Sequence, residues 1–238
     1  VDTWAFGSLT WTGGGYAVRS PIAAKAALFD APASVSGSGV DGSVEFPIQF
    51  GFDGAYSAAP HGPVPSTPVA GAVDQDPDQT FDPNDPTRTT AIPLTTDGAA
   101  FLRLRVAAQD LAVADPDVDL DIYLYDSAGN EVASSTAGGT DELIELVLPP
   151  DDTWTLYVHG WQTAGGPVEF EVQTWAVPAT PSTGALVIDD APSIAAIGAV
   201  GTIRASWVGL DPAAEYVGAV SHSSASGLIG LTLVDITT

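Results

Sequence analysis

The chain has 238 residues, with 30 acidic and 6 basic side chains, a formal charge of −24, no cysteine and no methionine. Such a surface excludes phosphate-backbone binding, which needs clustered Lys and Arg, and repels anionic lipid headgroups. Disulfide frameworks and thiolate metal sites are excluded outright, and a 45% hydrophobic content argues against disorder.

No apolar run reaches the ~18–20 residues of a membrane-spanning helix, so neither nucleic acid nor membrane insertion is expected. The 25 glycines and 19 prolines point to many turns. Val1-Asp2-Thr3-Trp4 lacks a basic leader and an initiator methionine, which predicts a piece of a longer chain.

The first predicted element, within 1–25, is a hairpin. Gly13-Gly14-Gly15 supplies positive-φ positions for a tight turn, and Trp11 and Val18 can meet across it. Ala23–Phe29 is apolar but bracketed by Pro21 and Pro32. Residues 60–97, rich in Pro, Asp and Thr, read as a long acidic loop or linker. Period-2 alternation then dominates. Leu102, Leu104 and Val106 alternate with Arg103 and Arg105, which could pair with Glu169 and Glu171. Leu120, Ile122 and Leu124 face inward, opposite Asp119, Asp121, Tyr123 and Tyr125. Segments 153–159 and 168–175 repeat the pattern, and Pro178–Gly184 reads as a hinge. Thr202–Val208, Tyr216–Ser221 and Leu228–Ile236 are later candidate strands.

No amphipathic helix stands out, so the fold class is all-β, built from antiparallel β-sandwiches. Residues 66–178 suit a jelly-roll. Neither 26–65 nor 181–238 can bury a sufficient core alone. Together they total 98 residues, the size of an immunoglobulin- or fibronectin III-like sandwich. The middle block is therefore expected as an insertion into a discontinuous second sandwich.

Gly7-Ser8-Leu9-Thr10-Trp11, with Gly14 and Val18-Arg19-Ser20-Pro21-Ile22, resembles the closing hairpin of the fibronectin type III-like domain of many subtilisin-like serine proteases. Gly13 and Tyr16 stand where that family often has Asp and His. The middle block resembles the bacterial pre-peptidase C-terminal domain. The residues that carry this are Asp119-Leu120-Asp121-Ile122-Tyr123-Leu124-Tyr125-Asp126, Gly129, Val132-Ala133-Ser134-Ser135, Glu142 and Asp152–Gly160. Ala205–Leu210 and Glu215–Val220 look like the ending of large actinobacterial secreted subtilases. The catalytic motifs of a subtilase, including G-T-S-M-A, are not here. The resemblance thus implies a secreted, non-catalytic C-terminal region, with the parent's catalytic domain as partner and contact with protein or polysaccharide substrate.

Nucleophilic catalysis needs a nucleophile, a base and an orienting group, and the chain's three histidines are His61, His159 and His222. The first sits among prolines, the second at a strand end and the third in a Ser-rich stretch without a G-x-S-x-G elbow. All three read as loop or turn residues. Among 30 acids, a glycosidase-like carboxylate pair reads as solvated surface charge. Calcium prefers six to eight oxygens. Asp74, Asp76 and Asp78 form one candidate ligand set, and Asp117, Asp119 and Asp121 the other. Asp119 and Asp121 are expected on one strand face, about 6.6–6.8 Å apart. The resemblance to subtilase domains also implies calcium. The six tryptophans raise a carbohydrate- or matrix-binding alternative, with Trp161 the expected exposed ring.

Overall fold

A computed structural model describes residues 3–113 and 115–238. Among them there is no α-helix, only a short 3₁₀ turn at Ala108–Asp110.

β1 (Trp4–Gly13) and β2 (Tyr16–Lys25) form a two-stranded ribbon. Gly14 and Gly15, at φ of 56° and 83°, make its turn, a conformation costly for a residue with a Cβ. The register puts Leu9, Trp11, Tyr16, Val18 and Ile22 on one face. All five are exposed, Trp11 at 63% and Tyr16 at 79%.

Next come β3 (Phe29–Asp30), β4 (Ser34–Ser38), β5 (Gly42–Phe50), β6 (Gly54–Pro65), β7 (Thr67–Val73) and β8 (Thr89–Thr96). They are followed by β9 (Ala99–Val106), β10 (Val118–Tyr125), β11 (Glu131–Ser135), β12 (Glu142–Val147), β13 (Asp152–Thr163) and β14 (Val168–Pro178). The chain ends with β15 (Leu186–Asp190), β16 (Ile194–Ala195), β17 (Val200–Trp207), β18 (Glu215–Ser224) and β19 (Gly227–Thr237).

One sandwich stacks the sheet β11-β10-β13-β8 on the sheet β12-β9-β14-β7. The alternating apolar residues of the sequence meet between them: Leu104, Leu120, Ile122, Leu124, Trp154, Leu156 and Val172 are all buried. The other sandwich stacks β15-β17-β5-β3 on β16-β6-β18-β19-β4. Its core holds Phe46, Ile48, Ile203, Trp207, Val220 and Val234. Segments 29–65 and 186–237 contribute strands to both of its sheets. All pairings are antiparallel except β19 with β4.

The stretch 60–97 is mostly strand rather than loop. It holds the end of β6, then β7 and β8. Proline is tolerated there because it needs no ladder donor on a free edge. β7 and β8 are edge strands, and β6 pairs with β16 only at Gly54 and Ala55. Only 74–88 remains irregular. The expected hinge is likewise pinned, since the Ser182 amide donates to the Pro60 carbonyl at 2.7 Å.

The two sandwiches share a third buried cluster, of Phe101, Trp175 and Val177 against Val217, Ala219 and Leu233. Arg103 and Arg105 rim it. Arg103 bonds Glu145 and, at 2.6 Å, Asp235, and Arg105 bonds Asp110 and Glu215. Their expected pairing with Glu169 and Glu171 does not form. The register sets Trp175 and Gln173 opposite the two arginines on β14.

Candidate functional site

Residues 74–88 leave β7 and return as β8, lying as a strap over the outer face of β10 and β13. The strap carries five aspartates and one arginine, so it repels itself and needs anchors. Both of its ends pair with β13: Asp76 N–H donates to the Gly160 carbonyl at 2.8 Å, and Gly160 N–H to the Arg88 carbonyl at 3.0 Å. The Gln75 side chain extends this ladder, donating to the Trp161 carbonyl and accepting from the Thr163 amide, both at 2.6 Å. Gly160 permits the approach, because a Cβ there would lie 2.3 Å from the Asp74 carbonyl oxygen. Further along, the Phe81 ring lies flat on Tyr123, with centroids 3.8 Å apart.

His159 stands beneath the strap, fully buried. Alternation along β13 puts it on the outer face with Tyr157, and the register sets it opposite Asp121 of β10. Its Nε2 lies 2.9 Å from Asp76 Oδ2 and its Nδ1 lies 3.4 Å from Asp121 Oδ2. The imidazole thus bridges strap and sheet. Burial alone would depress its pKa, but hydrogen bonds and charge from Asp121 and Asp76 raise it. For Asp76, burial pushes the other way, yet hydrogen bonds from His159 and from the Asp78 and Thr80 amides hold its pKa below the usual carboxylate value.

The six aspartates expected as calcium ligands are placed as follows. Asp74, Asp78 and Asp117 are exposed. Asp76 and Asp121 come together, but around an imidazole. The two Asp76 oxygens already accept from Asp78 N–H at 3.2 Å, Thr80 N–H at 3.0 Å and His159. Asp121 Oδ2 also accepts from the Tyr123 hydroxyl at 3.5 Å. Asp119 is half-buried, and a bulge separates it from Asp121, which breaks the regular spacing expected between the two. Its Oδ1 is buried without a partner, as is Glu142 Oε1. Burial and the neighbouring Asp121 charge push both of these carboxyls up. Among the described residues, no three of His, Asp and Glu are grouped to hold a metal ion. Asp76 and Asp121 therefore do not fit calcium, because a ring nitrogen stands where an ion would need their oxygens.

The other histidines are also buried in strands rather than in loops. His61 bonds the Pro178 carbonyl through Nδ1 at 3.1 Å and Ser221 Oγ through Nε2 at 2.9 Å. His222 bonds Tyr56 OH at 2.6 Å and Thr232 Oγ1 at 2.9 Å. Ser221 thus meets a histidine, but that histidine is oriented by a carbonyl; the one histidine oriented by carboxylates meets no serine. Among the described residues no serine–histidine–carboxylate triad forms.

Trp154, Trp175 and Trp207 are core residues. Trp161 is half-buried, with its ring 6.2 Å from His159. The exposed rings are instead Trp4 and Trp11, on opposite faces of the ribbon.

Residues 86–160 match the family profile of the bacterial pre-peptidase C-terminal domain. The match runs from the end of the strap through most of β13; it takes in the sheet that carries His159 and, from the facing sheet, β9 and β12. The pre-peptidase C-terminal domain is itself non-catalytic. No curated protein matches the chain. No helix among the described residues is long and apolar enough to cross a membrane.

Proposed function

We propose that the chain is an accessory region of a secreted subtilisin-like serine protease, stabilising the parent enzyme and contacting its substrate. The observation that carries the reading is the ribbon β1–β2. A two-stranded ribbon is marginal by itself in water. This one shows water five large apolar side chains on one face, Leu9, Trp11, Tyr16, Val18 and Ile22. Contiguous exposed apolar surface of this kind marks an interaction site, and burying it stabilises by about 25 cal/mol per Å². The partner in this reading is the catalytic part of the same protease. The pre-peptidase match supports a non-catalytic role.

Two measurements test it. The purified chain should leave a fluorogenic casein uncut, and hydrolysis that survives repurification sinks the proposal. The gene should encode a subtilisin-like block, with its G-T-S-M-A motif, on the amino-terminal side of Val1. An unrelated upstream module removes the protease parent.

A further inference from the structure

We infer that His159 acts as the internal clamp of strap 74–88, holding it on the β10–β13 face in the position a bound divalent cation would otherwise fill. Four observations meet there. The imidazole is fully buried and has a carboxylate oxygen at each ring nitrogen, one from the strap and one from the sheet. A ring with both nitrogens donating carries the positive charge that two converging carboxylates require. The strap is densely acidic and meets the sheet at Asp121, whose charge is felt by Asp119 and Glu142, so docking there needs a positive group between the carboxylates. Two amide donors and the ring take three of the roughly four acceptor sites on the Asp76 carboxylate, which leaves little for an ion that needs six to eight ligands.

Several described groups pack around the His159 ring. Asp76 and Phe81 face it from the strap, and Asp121 and Tyr123 from β10. Trp161 follows on β13, and Thr89 stands opposite on β8. Arg88 Nε reaches Asp76 Oδ1 at only 3.8 Å. It approaches the oxygen that His159 does not use, so it does not make the bridge to Asp121. Asp119 acts on the ring through charge alone.

Hydrogen exchange on the full chain at neutral pH tests the inference, read at the Thr80 and Asp78 amides that cap Asp76. In the wild type, their protection should be the same in millimolar calcium and in EGTA. His159→Gln, which keeps a polar side chain but cannot donate at both ends, should speed exchange at these amides by tenfold or more. The amides of β9 and β14 should be unchanged. Should that variant fail to fold, Asp121→Asn is the second reading, because it removes the sheet's charge on the ring and leaves the Asp76 acceptors of both amides in place. It too should release the strap amides. Strap protection that falls in EGTA, or that persists in the foldable variant, overturns the inference.

Discussion

His222 lies fully buried between the Tyr56 hydroxyl and Thr232, packed by Phe29 at 4.7 Å and Phe46 at 6.2 Å. Burial in this apolar setting disfavours the imidazolium and pulls its pKa down to about 4. The unfolded chain, at about 6.5, then binds more protons than the folded one between those values. Its contribution is fully present above pH 6.5 and is lost as pH falls toward 4, by about 3 kcal/mol. Urea unfolding across that range should show the loss, and His222→Gln should flatten that part of the profile. His159 has the opposite sign. Its raised pKa gives stability that is present in acid and lost as pH rises through the folded value. Neither role was legible in the sequence. Alternation does place His159 on the outward face of β13, which normally means solvent. What buries it is a strap 71 or more residues earlier in the chain, and no local pattern reports that contact.

Strands that bury one face were readable, because their alternation is what burial on a pleated sheet requires. The β9, β10, β13 and β14 residues predicted to face inward are the ones in the first core. Strands were not readable where proline interrupts a free edge, as in β7, β8 and the part of β6 beyond Ala55, since a free edge removes the very constraint that excludes proline. The strap is the element most sensitive to a small change. Gly160→Ala would drive a Cβ against the backbone of Asp74, whose carbonyl oxygen has no side-chain freedom with which to yield. Overpacking of this kind costs about 1–3 kcal/mol. Thermal melts should register that loss, and the Phe81–Tyr123 stack should loosen with it. The ribbon gives the contrasting prediction. None of its residues is buried, so removing residues 1–25 should shift the Tm of the remainder by no more than about 2 °C, which calorimetry would detect. A fall of 8 °C or more would mean that the ribbon packs on the body.

For the whole molecule, the question is whether two sandwiches unfold as one. Each has its own core, which alone would favour two transitions. The third cluster argues for coupling. Trp175 is 1% exposed and packs from β14 among Val217, Ala219 and Leu233 of the other sandwich. Its Nε1–H donates to the Glu215 carbonyl at 3.2 Å. Arg103 and Arg105 lie over its ring, at 5.9 and 5.3 Å, while bonding Asp235 and Glu215 across the junction. These two arginines are a third of the chain's basic residues, placed where acidic surfaces of both sandwiches converge. Charge of −24 would otherwise push the two bodies apart. We propose that segments 26–65 and 181–238 fold as one unit coupled through Trp175 to the block 66–178. A single calorimetric transition is expected for the wild type. Trp175→Ala removes the shared ring at a cost of about 3–5 kcal/mol. Because that loss falls on the junction and spares both separate cores, the single peak should split into two. A lowered peak that stays single would place the coupling elsewhere, in the two chain crossings between the sandwiches.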